Sequence, residues 1–575
     1  MKLLSYSSRF WQKNYDDGLG DLDPKIFETT FTKEIRRTFE EVPDKMAFAF
    51  YGTEVSFGEL EKLSNEFANM LIEHGFKKGD VLGINLPNIP EYVIALLGGL
   101  KAGLIVSGVS PLLSAVQIEY QLNDLGSGGK QIALITLDAI FAGHITKIAD
   151  KIPSLKLIIA TSVGNFMPKM LAKMGKLIGK VPKGKVTPIE GKVVLEYAKD
   201  VMGKYPDNLP KVDLTPDDIA FIQYTGGTTG PPKGAMITHR NTCSDVLIFQ
   251  HWLNWEFGKG LGLSGFPFFH IAGLFTCQNF IILGWSQVLI PNPRDTNHII
   301  KEMLKYRPSI LANVPTLYQM LLKNPKFKKI DKDMLDCVIS AAAPFPKESQ
   351  EILESVIGKG KLVELYGMTE TSPLTCGNPY RGKKKLGSIG LPFSNVDLKI
   401  VDPETGEEVP IGQPGEICVK GPMVMIGYYN KPNETKKAID KDGYMHTGDM
   451  GVMDDEGYVR IVDRTKDMII VGGYKVFSTK LEDTLTKHPA VGMCATIGVP
   501  NPDRPGSEIV KAYIQIDPNY EYDGNEDKLR ENIIKYAREN CAPYEVPKII
   551  EFIEELPLTT VGKVDKKALR AKESK

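Results

Sequence analysis

The sequence predicts an α/β protein: a large N-terminal domain of doubly wound sheets that also carries a β-rich subdomain, then a small, mobile α+β C-terminal domain. Three observations predict it. Short apolar runs of strand length alternate with helix-length patterns through the first two-thirds of the chain, as in parallel sheets covered by helices. After Leu386 the texture changes to short strands and turns, among them Pro403-Glu-Thr-Gly406 and Asp454-Asp-Glu-Gly457. At 575 residues the chain is also too long for a single hydrophobic core.

The elements follow in order. Helical patterns cover 57–74 and 90–100, and candidate strands cover 81–86, 104–109, 132–136, 157–160, 219–224, 288–290, 310–314, 337–340 and 362–365. The most apolar region, 92–113, is broken by Lys101 and by glycines at 98, 99, 103 and 108. A membrane span needs about 20 uninterrupted apolar residues, so this region reads as a buried helix followed by a strand. Asn165 to Val186 holds six lysines and no acid, with Met167, Met170, Leu171, Met174, Leu177 and Ile178 at helical spacing. Such a basic amphipathic helix suits a membrane surface or a partner, and equally a solvated helix packed on its own domain. Gly260-Leu-Gly-Leu-Ser-Gly265 matches a dinucleotide fingerprint by letter only. It follows a helix pattern and precedes a stretch, 266–270, expected to be extended, whereas that fingerprint must follow a strand and open a helix. From about Asp467 to Lys575 the order reads β-α-β-β-α-β, with helices at 481–485 and 528–536 and strands at 491–497, 509–516 and 548–553.

Composition narrows the function. Apolar content of 42% and charged content of 25% are ordinary for a globular protein, and a net charge of −1 argues against a general nucleic-acid binder. The seven cysteines are scattered, with no Cys-x-x-Cys pair, so neither a metal cluster nor a disulfide framework is indicated and a reducing cytoplasm fits. The first residues have no apolar core suited to a signal peptide.

The most informative stretch is Tyr224 to Gly234, which puts four glycines, three threonines and one lysine into eleven residues. Glycine lets backbone approach a ligand, successive N–H groups form an anion nest, and threonine hydroxyls add donors. Lys233 adds a point cation suited to phosphate. The loop follows the apolar run 219–222, and strand ends are where open α/β sheets bind ligands. It is not a Walker A loop, because Pro232 precedes Lys233 and Gly234 follows it. A glycine-rich surface turn would not need the threonines and the lysine together.

This stretch resembles the phosphate loop of the adenylate-forming superfamily, which includes acyl-CoA synthetases, aryl-CoA ligases, beetle luciferases and peptide-synthetase adenylation domains. The resemblance runs from about Phe39 to Arg570 and includes further motifs in the expected order. It implies that Thr225, Gly226, Gly227, Thr228, Thr229, Gly230 and Lys233 hold ATP phosphates, with Thr228 also near Mg²⁺. Ala341, Ala342 and Ala343, in Ser340-Ala-Ala-Ala-Pro344, resemble the turn beside adenine. In Glu364-Leu-Tyr-Gly-Met-Thr-Glu-Thr371, the resemblance has Tyr366 stack on adenine, Thr369 donate to the α-phosphate and Glu370 help hold Mg²⁺, with Gly367 and Met368 alongside. On residues alone, Thr369 would be a helix cap. Asp449, in Tyr444-Met-His-Thr-Gly-Asp449, would accept from both ribose hydroxyls, and Ile461 and Arg464 would complete the nucleoside site.

The same resemblance assigns Lys466 as the hinge, Gly472 and Gly473 to the CoA passage and Lys563 as the catalytic lysine. It implies three units: residues 1–463, a hinge at 464–466 and a C-terminal domain at 467–575. Ile470, Ser478 and Lys480 depart from common family residues on the CoA side. Phe266-Pro-Phe-Phe-His270-Ile-Ala-Gly273 resembles the acyl-pocket motif, which would place Phe268, His270 and Gly273 at the substrate; without the resemblance, a core strand with a satisfied histidine is the simpler reading. Leu365 stands where many relatives have glycine and would reshape the inner end of that pocket. No acid occurs between Glu256 and Asp295, so an amino-acid substrate would bury its ammonium unpaired.

The expected activity is an ATP-, Mg²⁺- and CoA-dependent acyl-CoA synthetase acting on a medium- or long-chain fatty acid through an acyl-adenylate. Residues 9–17 resemble the leader of bacterial long-chain enzymes. An aryl-CoA ligase, an acyl-AMP ligase loading a carrier protein and a luciferase-like oxygenase are the alternatives; a non-catalytic nucleotide sensor fits less well with Thr228, Glu370, Asp449, Arg464 and Lys563 all present. Expected partners are small molecules, with no nucleic acid, a peripheral membrane contact through 165–186 and a homodimer. The expected location is cytoplasmic, at the inner membrane surface.

Overall fold

The computed structural model describes residues 4–225, 231–343, 345–472, 474–502, 504, 507–558 and 564–573. Two large mixed sheets dominate. The first has eight strands in the spatial order Gly427–Tyr428, Lys233–Thr238, Ile219–Thr225, Ile105–Gly108, Val81–Asn85, Ile132–Leu137, Leu155–Thr161 and Val193–Glu196. Its last six strands are parallel, while Lys233–Thr238 returns antiparallel to Ile219–Thr225. The second has nine strands, from Leu391–Pro392 through Leu362–Gly367, Cys337–Ser340 and Ile310–Asn313 to Thr53–Ser56.

Every residue of helix Pro90–Lys101 is buried, as an all-round apolar helix requires. It holds two ionisable side chains, Glu91 and Lys101, and Lys101 is satisfied internally: Nζ donates to Ser64 Oγ and Asn65 Oδ1, both at 2.7 Å. Burial pushes this ammonium down to about 7. No helix among the described residues is long and apolar enough to cross a membrane.

The β-rich subdomain is a four-stranded antiparallel sheet, Asp397–Val401, Gly415–Lys420, Met445–Met453 and Val459–Arg464. The small C-terminal domain begins with the hairpin Ile469–Val471/Tyr474–Val476. It continues as the sheet Val491–Pro500, Glu508–Ile516 and Ile549–Phe552, covered by helices Ser478–Leu485, Glu526–Asn540 and Lys566–Glu573.

Each strand expected between 81 and 365 is present, within a few residues of its predicted ends. Three expectations change. Residues 266–270 form a turn, not an extended segment, because His270 caps the helix Ile271–Ile282 by accepting from Ala272 N at 3.3 Å. Residues 260–265 contain the strand Leu261–Ser264 itself, so the letter match to a dinucleotide loop has no loop behind it. The basic helix is shorter than its pattern, spanning Lys169–Leu177. The edge hairpin Met46–Phe50/Thr53–Ser56 had no signal that we read.

Candidate active site

The site forms where the two large sheets and the β-rich sheet meet. Thr225 and Lys233 are cross-strand partners in the antiparallel pair Ile219–Thr225/Lys233–Thr238. Gly226, Gly227, Thr228, Thr229 and Gly230 lie outside the described residues, as do Gly473 and Lys563. Lys233 Nζ pairs with Glu434 at 3.2 Å and lies 4.4 Å from the centre of the Tyr428 ring.

Tyr428 connects this cation to the next motif: its hydroxyl donates to Glu370 Oε1 at 2.6 Å. Glu370 sits in a short 3₁₀ turn, Thr369–Thr371, with its carboxyl held above the usual range by burial, against the pull of Tyr428, Lys233 and Arg464. A buried carboxylate with cations nearby but none bonded to it is the donor chemistry of a hard divalent ion, so Glu370 fits Mg²⁺. Gly367 is required just before it. A methyl there would collide with the Pro373 carbonyl, across which Met368 N already donates at 2.9 Å.

Asp449 sits at the centre of the nucleoside side. Its Oδ2 accepts from the Tyr366 hydroxyl at 2.7 Å, and its Oδ1 lies 3.2 Å from Arg464 Nε. A carboxylate has about four acceptor positions, so room remains for two ribose hydroxyls. The backbone around Asp449 is braced from below. Glu416 accepts from Gly448 N at 3.0 Å, its other oxygen lies 2.9 Å from His446 Nδ1, and Asp449 N donates to Thr447 Oγ1 at 3.1 Å. His446 is raised by its bond to Glu416. Cys418 lies 3.5 Å from the same imidazole. Glu416, Cys418 and His446 thus form a compact group of metal-ligand types that cysteine spacing could not reveal, because adjacent strands assemble it. These side chains already satisfy one another, and burial pushes the thiol up.

Ala341 and Ala342 show how the nucleotide side connects to the rest. Ala342 has φ +68°, a left-handed conformation that costs an alanine about 1 kcal/mol or more. The turn therefore presents Ala341 and Ala342 in different directions. Ala341 lines a narrow apolar pocket, open on one side, together with Leu365, Phe266, Ala272, Phe275 and Trp255. Leu365 and Tyr366 are successive strand residues and so face opposite sides. One faces the cavity and the other faces Asp449. Of the three residues predicted at the acyl pocket besides Leu365, none is among those lining this cavity. Phe268 packs on Tyr92 with ring centres 5.4 Å apart, His270 caps its helix, and Gly273 lets that helix press against the Pro267 carbonyl. Ile461 is partly buried against the main core.

At the domain junction, Lys466 is lowered to about 8, chiefly by burial and then by Arg464. Its carbonyl accepts from Arg570 at 3.3 Å, and Arg570 pairs with Asp467 at 2.6 Å. Gly472, at φ +60°, donates to Ser507 Oγ at 2.8 Å, and Ile470 N donates to Glu508 at 2.8 Å. Ser478 does more than fill the place of a common proline. Its backbone and hydroxyl both bond Asp463, and Lys566 donates to the same hydroxyl at 2.7 Å. No sequence signal singled out Tyr428 or Glu416.

A family model described as "AMP-binding enzyme" matches residues 35–429. The chain belongs to this family. A second model, "AMP-binding enzyme C-terminal domain", matches residues 480–563. A long-chain-fatty-acid–CoA ligase of Escherichia coli is 37% identical over 536 residues, covering 92% of this chain and 91% of its own. One from Bacillus subtilis is 38% identical over 552 residues, covering 92% of each. Among solved structures, ATP-bound MatB from Rhodopseudomonas palustris superposes with a TM-score of 0.80 at 27% identity, over 95% of this chain and 99% of that one. The apo form of the same protein gives a TM-score of 0.70.

Proposed function

We propose that this family member is an AMP-forming acyl-CoA synthetase that activates a medium- or long-chain fatty acid. The observation that carries the proposal is the two-residue seam Ala341/Ala342 and Leu365/Tyr366. At both places one residue walls an apolar cavity and its neighbour belongs to the nucleoside cluster around Asp449 or to the turn beside it. An acid lying in the cavity would bring its carboxylate out beside the nucleotide. The full-length similarity to fatty-acid–CoA ligases supports the acyl and CoA parts.

The chemistry follows in two steps. A carboxylate oxygen attacks the α-phosphorus of ATP, the bond to the bridging oxygen breaks, and pyrophosphate leaves with that electron pair. The CoA thiol, losing its proton, then attacks the acyl carbon of the mixed anhydride, and AMP leaves. Splitting one hard displacement into two easier ones is the benefit of the covalent intermediate. In this reading Asp449, Tyr366 and Arg464 fix the nucleoside, and Ala341, Ala342 and Ala343 border adenine. Thr369, Lys233 and the threonines and glycines of 225–230 bind phosphate oxygens. Mg²⁺, held by Glu370 with Thr228, would neutralise phosphate charge. Lys563 stabilises the crowded α-phosphoryl group. The boundaries 1–463, 464–466 and 467–575 then describe a large binding domain, a hinge at Lys466 and a mobile domain that brings Lys563 in or swings it away. The better fit to ATP-bound than to apo MatB supports an arrangement suited to the first step.

The test is AMP release across a panel of alkyl and aryl acids, with and without CoA. CoA-dependent thioester from C8–C18 acids is expected. Thioester only from aryl acids, or stalling at acyl-AMP with CoA present, would move the assignment to an aryl-CoA ligase or a carrier-loading ligase.

We also propose peripheral docking on the inner membrane surface through the helix Lys169–Leu177. Met170, Met174, Leu177 and Ile178 are each more than half exposed, on a segment with six lysines and no acid. An apolar face ringed by cations complements an anionic bilayer. Pelleting with vesicles containing phosphatidylglycerol should fall at least severalfold when Lys169, Lys173 and Lys176 become glutamate. Pelleting that ignores both lipid charge and these changes would contradict it.

A further inference from the structure

The acyl cavity is apolar except along one side of the helix Ile271–Ile282, where Ala272, Thr276 and Asn279 line it at helical spacing. Thr276 is satisfied, its hydroxyl donating to the Ala272 carbonyl at 2.8 Å. Asn279 is not. Only 1% of it is exposed, and its Nδ2 donates to the Phe275 carbonyl at 3.0 Å, which fixes which way the amide faces. Its Oδ1 is buried and receives no hydrogen bond from any of the described residues. Trp255 also lines the cavity, and its Nε1–H is buried without a hydrogen-bond partner among the described residues.

A buried amide oxygen without a donor is a costly feature to place against hydrocarbon. A plain alkyl chain offers it nothing, whereas leucine at this position would complete an apolar wall and favour the helix. We propose that the cavity takes an acid with a hydroxyl on its hydrocarbon part, and that this hydroxyl donates to Asn279 Oδ1. Asn279 is then a specificity-determining residue for the acyl group. The proposal rests on the reading of this cavity as the acyl site.

The discrimination should be large, since a site built to bond a hydroxyl rejects the analogue that lacks it far better than an apolar site rejects an added hydroxyl. The experiment compares matched pairs differing by one hydroxyl: dodecanoate with 12-hydroxydodecanoate, hexadecanoate with its mid-chain hydroxy acids, and cinnamate with 4-hydroxycinnamate. Each is measured by kcat/KM and, independently of turnover, by Kd from quenching of tryptophan fluorescence. For at least one pair the hydroxy-to-plain preference of the wild type should fall tenfold or more in Asn279→Leu. Which pair responds separates an aliphatic from an aromatic hydroxyl. Equal preference in both proteins for every pair, by both measures, would overturn the proposal. A preference that shifts in Kd while no acid yields AMP would keep this site and remove the synthetase reading instead.

Discussion

Lys563→Ala should lower acid-dependent pyrophosphate exchange by about 10²–10³-fold, the usual cost of losing one group aimed at charge in the transition state. Thioester formation from supplied acyl-AMP and CoA should stay within a few-fold of wild type. The reason is electrostatic. In the first half-reaction an anion attacks an anionic phosphate, and a cation must offset the crowding of charge. In the second, a thiol attacks an acyl carbon after pyrophosphate has gone. The described residues on either side of this lysine are tied to the small domain: Leu558 pairs with Val564, and Lys566 pairs with the buried Glu482 at 2.7 Å. Arg570 ties the helix Lys566–Glu573 to Asp467, next to Lys466, the proposed hinge. Equal loss in both half-reactions would point to a folding defect, and normal exchange would defeat the assignment.

Asp449→Ala should weaken ATP binding by about 30- to 100-fold, as expected when charge-assisted hydrogen bonds near 2–3 kcal/mol are lost. Two protein partners, the Tyr366 hydroxyl and the Arg464 guanidinium, lose their acceptor together with the ribose. The Kd of the fatty acid should change less than twofold, because neither Asp449 nor its partners Tyr366 and Arg464 line the cavity. Titration calorimetry with a non-hydrolysable ATP analogue and, separately, the acid distinguishes the two. Unchanged ATP affinity would remove Asp449 from the nucleoside site.

Much of the fold was legible because its strands are short apolar runs with polar punctuation, and Ile219–Thr225 or Cys337–Ser340 can hardly be read otherwise. The site was legible where one segment carries the chemistry. Tyr366, Glu370, Asp449 and Arg464 do converge, from two strands of one sheet, one strand of another and the turn that follows it. It was illegible where contacts join distant segments. Tyr428 reaches Glu370 only because the strand Gly427–Tyr428 pairs with Lys233–Thr238, and Glu416 supports Asp449 only through sheet register. In the turn at 266–270, Phe268 packs on Tyr92 and His270 caps the following helix, while Ala272, Thr276 and Asn279 of that helix line the apolar cavity. Lys169–Leu177 was read correctly as basic and amphipathic, but only the structure shows its apolar side facing outward.

The central claim is that an organic carboxylate attacks the α-phosphorus of ATP. Turnover with a fatty acid carrying ¹⁸O in both carboxylate oxygens, followed by mass spectrometry of the nucleotide product, tests it directly. One ¹⁸O in AMP and one retained in the thioester is the predicted result; unlabelled AMP, or release of ADP, would contradict it.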